Sequence, residues 1–223
     1  MVTNIVLVGA NSEISQKLIE KNNSSEFNLY GISTKEMGSN FLKVSDYFDD
    51  SKKIIDYIGE IEDPTIIFFN GYLKENRDLY SPNDEEINNT IYITFLIPFL
   101  LTLEICKYIS FKKLVYISSI AAEKPRYKNY IYGICKRTLE ESVYNLKNKE
   151  TLIIRFGKVK TKMSRDHQDP PFTITAEKAS DIIIKNLHRR GTIHSSFGIF
   201  FTSLIIKLIP LKFINFLERR IVR

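Results

Sequence analysis

The stretch KLVYISSIAAEKPRYKNYIYGICKR, residues 113–137, decides how the rest of the chain is read. Its first seven residues form a nearly continuous apolar run, the pattern of a parallel strand covered on both faces. Ser118 and Ser119 leave that strand at its carboxyl end, the edge outside which ligands sit in parallel α/β sheets. A polar loop follows, then Tyr132 and Lys136, four positions apart at the start of a helical pattern, which places both side chains on one face a turn apart. A lysine ammonium near a phenol favours the phenolate and lowers a pKa that is about 10 in free tyrosine. Such a phenol exchanges a proton with an alcohol or carbonyl oxygen, and a neighbouring serine hydroxyl holds the same oxygen in place. Tyr-x-x-x-Lys alone is common on helix surfaces. Ser119, thirteen positions upstream at the end of the right strand, gives the pair its weight.

Working outward, β-rich runs alternate with amphipathic ones. NIVLVG precedes EISQKLIEKNN, and FNLYGIS and FLKVS precede DSKKIIDYIGEI; TIIFFNG precedes a long helical stretch from about Glu85 to Ile109. Beyond the opening stretch come TLIIRFG and the helical AEKASDIIIKNLHRR. Strand, crossover and strand repeated this often predict an α/β fold, a doubly wound parallel sheet. With 223 residues, 43% of them hydrophobic, and no internal repeat or Pro/Gly linker, the chain suits a single domain. We assign residues 1–195 to the main body and 196–223 to a basic, apolar tail of the same domain.

The first strand runs into VLVGANSEISQKL, residues 6–18. A strand, a glycine turn at Gly9 and a helix beginning near Asn11, Ser12, Glu13 and Ile14 set free backbone N–H groups and the positive end of a helix dipole where a pyrophosphate can sit. The signal is degraded, since Glu13 and Ser15 stand where further glycines are usual. At the end of the second strand, LYGISTKEM, an acidic side chain would accept a ribose 2′-hydroxyl and repel a 2′-phosphate. Ser33, Thr34 and Lys35 occupy that place instead, so NADP(H) is favoured over NAD(H) as the dinucleotide. Asp46, after the third strand, is a candidate contact to the adenine.

The net charge of +6 is concentrated toward the end of the chain, in KNLHRRG and LERRIVR. No basic stripe interleaved with aromatics appears, so nucleic acid is not expected as a partner. Cys106 and Cys135 sit in apolar helical patterns without a CxxC or a histidine neighbour, so neither a disulfide scaffold nor a metal site is expected. The N-terminal apolar run is too short for a signal peptide, so the main body is expected in the cytoplasm. TIYITFLIPFLLTLEI, Thr90 to Ile105, is too short to span a bilayer and carries Pro98; we read it as a helix buried against the sheet and a partner subunit. In the tail, apolar residues at helical spacing are interleaved with Lys207, Lys212, Arg219, Arg220 and Arg223. That pattern suits either a peripheral contact at the inner face of the membrane or a core helix with a subunit contact.

Taken together, Gly9, FFNGYL with Asn70 and Gly71, Asn89 in the long helix, Ser119, Tyr132 with Lys136, and RFGKVKTKM resemble the short-chain dehydrogenase/reductase family across nearly the whole chain. Within it they are most similar to the decaprenylphosphoryl-2-keto-ribose reductase type, which shares the Glu-containing turn and the basic tail. The resemblance implies a Rossmann fold and hydride transfer between a nicotinamide and a carbonyl or alcohol carbon. Tyr132 is then the general acid/base, and Ser119 orients the substrate oxygen. Lys136 lowers the tyrosine pKa and binds the nicotinamide ribose, while Asn89 holds a water of a proton relay. Thr161 and the backbone near Val159 contact the carboxamide or phosphates. A keto sugar, lipid-linked or nucleotide-linked, is the implied substrate, and a homodimer or homotetramer the implied assembly. A small soluble ketone, or nucleotide binding without turnover, stays open; the complete Asn, Ser, Tyr, Lys set argues against the latter. Phe156, where the family usually has proline, puts the path toward Thr161 in question.

Overall fold

The computed structural model describes residues 3–22, 26–73, 83–146, 150–165 and 169–221. Seven parallel strands form one sheet: β1 (Thr3–Val8), β2 (Phe27–Ser33), β3 (Phe41–Lys43), β4 (Thr65–Phe68), β5 (Lys113–Ser119), β6 (Thr151–Phe156) and, after a short two-stranded pair β7 (Val159–Lys160) and β8 (Ile174–Thr175), β9 (Gly191–His194). Their order is β3-β2-β1-β4-β5-β6-β9. The winding reverses between β1 and β4, which opens a crevice at the carboxyl ends of those strands. This is the doubly wound Rossmann-type α/β fold expected from the alternation.

Because alternate side chains leave opposite faces of a strand, the sheet buries two cores. Val6, Val8, Ile66, Phe68, Leu114 and Tyr116 meet Ile54 and Ile58 of α2 (Ser51–Gly59), Leu101 and Ile105 of α4 (Ile97–Tyr108), and Leu139 of α5 (Tyr130–Asn145). Ile5, Leu7, Ile67, Val115 and Ile154 face the other way, onto Leu18 of α1 (Glu13–Lys21) and Ala179 and Ile183 of α6 (Ala176–Asn186).

The long apolar helix is not uniform. It starts as α3 (Asp84–Ile91), widens into a π turn at Tyr92–Leu96 and continues as α4. Pro98 explains the widening, since its ring lacks an N–H and crowds the carbonyl one turn back. Asp84–Tyr108 is long and apolar enough to cross a membrane by length and composition, but Ile97, Leu101 and Ile105 lie in the sheet's core.

Two parts of the chain differ from the expectation. KNLHRRGTIHSS hides a seventh strand of the sheet, β9, only four residues long and opening on Gly191 at φ 75°. The tail is two helices, α7 (Phe197–Leu208) and α8 (Leu211–Ile221), bent by 107° about the break at Ile209 and Pro210.

Candidate active site

The crevice holds a cavity of about 590 Å³ that runs from the start of α1 to Tyr132 and Lys136. Gly9 ends β1 at φ 82°, and both Gly9 and Ala10 donate to the Ile32 carbonyl, a turn that a side chain at residue 9 would strain. Ser12 caps α1 by accepting the Ser15 N–H, leaving Asn11, Glu13 and Ile14 on the cavity wall. The Glu13 carboxylate reaches across and accepts the Lys162 backbone N–H.

Ser119 lies on the same wall, at the end of β5. Its Oγ accepts the Ala121 N–H at 3.2 Å, so its own proton is free for another acceptor. Lys136 is buried, and Nζ donates to the carbonyls of Asn70 at 2.9 Å and Ile117 at 2.8 Å. Those two bonds, from the loop after β4 and from β5, hold the ammonium 5.8 Å from the centre of the Tyr132 ring. Gly71 lies beside both side chains; a Cβ there would stand 3.7 Å from Nζ, an ordinary contact.

The electrostatics depart from the expected acidified phenol. Burial dominates and raises the Tyr132 pKa above its ordinary value. Burial also brings Lys136 down to about 8, with Glu140, one turn further along α5, opposing it. In this state burial favours the neutral phenol over the phenolate.

Of the residues expected at the site, Asn11, Ser12, Glu13, Ile14, Lys35, Asn70, Gly71, Ser119, Tyr132, Lys136, Val159 and Thr161 share this cavity. Phe156, despite replacing proline, is buried and ends β6 in register with Ser119, and β7 then pairs with β8 to bring Thr161 to the wall. Thr161 starts a short 3-10 turn whose capping partner is Ser164.

Five expected contacts stand off the wall. Ser33 is fully buried, its hydroxyl accepting the Lys35 N–H at 2.9 Å, and Thr34 is exposed beside it, so Lys35 alone of that trio faces the cavity. The Asp46 carboxylate is engaged by the Tyr92 hydroxyl and the N–H groups of Phe48 and Asp49, which overcome the opposing effect of burial and hold its pKa below the usual range. Asn89 is half-buried on α3, and its carbonyl accepts the Tyr92 N–H where the π turn begins. Gly9 shapes the turn without lining the cavity.

The wall also contains Arg126 and Glu218, which the sequence reading passed over. They pair at 3.4 Å, joining the loop before Tyr132 to α8. A cation between Ser119 and Tyr132 was the available signal for Arg126. Nothing local marks Glu218.

A nicotinamide dinucleotide fits these residues. The Asn70 Oδ1 is buried without a partner on the wall, the start of α1 opens onto it, and Lys35 stands past the end of β2.

No protein-family model matches the chain, and no curated protein matches it. Solved structures do. A short-chain dehydrogenase from Burkholderia cenocepacia, in complex with NADP, superposes with a TM-score of 0.72 over 93% of this chain and 94% of its own, at 14% identity. The aldohexose dehydrogenase of Thermoplasma acidophilum gives 0.70 over 88% and 94% at 13% identity, and a glucose/ribitol-type short-chain dehydrogenase from Brucella melitensis gives 0.69 over 87% and 96% at 18% identity. The fold is that of the short-chain dehydrogenases. At these identities the likeness extends to the fold, and the chemistry has to be argued from the side chains.

Proposed function

We propose that the protein is an NAD(P)H-dependent ketoreductase in which Tyr132 is the proton donor. The single observation that supports this most is the convergence of Ser119, Tyr132 and Lys136 on one cavity with the start of α1. A dinucleotide held along Asn11–Ile14, Lys35, Asn70, Gly71, Val159 and Thr161 supplies the hydride. The chain's own groups do the rest. The Ser119 hydroxyl, its acceptor side already used by Ala121, donates to the substrate carbonyl oxygen and fixes it. Tyr132 Oη gives that oxygen a proton as the carbon is reduced. The raised phenol pKa keeps this proton in place at neutral pH until it is required. Lys136, anchored on two carbonyls, supplies positive charge beside the phenolate that results.

NADPH is our preferred reductant. Lys35 offers an ammonium for a 2′-phosphate, and the nearest carboxylate after β2, Glu36, pairs at 3.5 Å with Lys43. The preferred substrate is a keto sugar, lipid-linked or nucleotide-linked, in cell-surface glycan synthesis in the cytoplasm; this part of the reading draws on the sequence resemblance to reductases of that type. A homodimer or homotetramer pairing through α4 and α5 suits the exposed Leu103, Tyr108, Ile134 and Tyr144 on those helices.

The test is NADPH and NADH consumption against lipid-linked and nucleotide-linked keto sugars, with Tyr132→Phe as the comparison. The variant should lose about 10²–10⁴-fold in kcat while retaining cofactor affinity. Undiminished turnover removes the proton-transfer role.

A further inference from the structure

Helices α7 and α8 each bury an apolar row, Ile199 and Ile206 in α7 and Ile214 in α8, and leave a second apolar surface exposed. A surface helix normally buries its apolar face and gives its polar one to water. In α8 the polar side chains Asn215 and Glu218 face the protein: Asn215 Oδ1 accepts the Tyr127 N–H at 3.0 Å, and Glu218 pairs with Arg126. Leu211, Phe213 and Leu217 of the same helix face outward and are exposed. In α7, Ser203 is buried while Phe197 and Leu208 are 80% and 84% exposed, with Phe201 and Leu204 between them. An apolar surface of this extent marks an interaction site on a folded domain.

Charge selects the occupant. Residues 196–223 carry five basic side chains against one acidic, and the acidic one is turned inward. A second copy of the chain would bring the same positive charges to the contact. An anionic lipid surface complements both features, accepting the apolar side chains into its acyl boundary and Lys212 and Arg219 at its headgroups.

The elbow is also fastened to the cavity. Lys124 Nζ donates to the carbonyls of Lys207 at 2.9 Å and Ile209 at 2.7 Å, closing the end of α7. The inner side of α8 supplies Glu218 to the cavity wall. We propose that the outward face of α7 and α8 docks onto an anionic lipid bilayer, so that the rim of the cavity opens at the membrane interface. Docking stands apart from the redox reading: a chain that binds vesicles and reduces nothing keeps the one and loses the other.

The chain has no tryptophan, so one introduced indole reports cleanly. Full-length Phe213→Trp is mixed with phosphatidylcholine vesicles, with or without phosphatidylglycerol, and with brominated acyl chains as quencher. Anionic vesicles should shift its emission to the blue and quench it, less so at high salt. Phe48→Trp, equally exposed but far along the chain beside β3, should respond to neither. Phe201→Glu with Leu204→Glu should abolish pelleting with vesicles while the melting temperature holds. Unmoved emission from the probe at position 213 overturns the proposal. So does lipid-free self-association that the double variant abolishes, since the face then belongs to a second copy.

Discussion

Lys136 sits where burial and its neighbours pull in opposite directions. Burial lowers its pKa to about 8 and Glu140 raises it, so the ammonium is present below that pH and is lost as pH rises through it. Turnover that depends on this charge should show an alkaline limb near there. Glu140→Gln removes that opposing charge, and the limb of the pH–rate profile should move to lower pH; a limb that stays in place would separate it from Lys136. Linkage adds a stability consequence. Between about 8 and 10.5 the unfolded chain binds the proton that the folded one has released, so this group's contribution to stability rises with pH across that window. The spacing of Tyr132 and Lys136 was readable because one helical turn relates them. The carbonyls that anchor Lys136 come from β5 and from the loop after β4, and no local pattern announces a contact across 66 residues.

At the scale of elements, α5 is seated by a close approach. A Cβ on Gly133 would stand 2.8 Å from the Ala121 carbonyl and 3.1 Å from Pro125, so the helix carrying Tyr132 lies directly against the turn that follows Ser119. Gly133→Ala should cost about 1–3 kcal/mol and lower kcat by widening the gap between Ser119 and Tyr132; calorimetry and steady-state kinetics on the same preparation check both. The buried strands announced themselves as continuous apolar runs because both faces are covered. The π turn did not, since Pro98 signals a disturbance without saying which kind. β9 was obscured by its length and by the basic residues before it.

For the molecule as a whole, one buried ionic network joins parts that are distant in sequence. Arg155 on β6 bridges Glu140 on α5 and Glu123 in the turn after β5. Glu123 in turn takes Lys207 of α7 at 3.2 Å, while Glu140 accepts the Ser118 hydroxyl. Burial works against the Glu123 charge, but Ser203, Arg155 and Lys207 hold its pKa below the usual range. Arg155→Met removes the cation that two buried carboxylates share and should cost about 3–5 kcal/mol, read as a lower denaturation midpoint. The fold class was visible in the alternation of runs, since it depends on periodicity. The wall that α8 contributes was not, because Asn215 and Glu218 turn toward the protein while Leu211, Phe213 and Leu217 stay exposed.

The Glu13 carboxylate on the Lys162 N–H gives the crevice a built-in tenant. Any diphosphate arriving at the start of α1 meets a negative charge already resident there, and must share the terminus with it or evict it. For a dinucleotide bound as proposed, the hold would be tempered accordingly. On that reading the carboxylate would reclaim its donor as the ligand left, which favours brisk exchange over long retention.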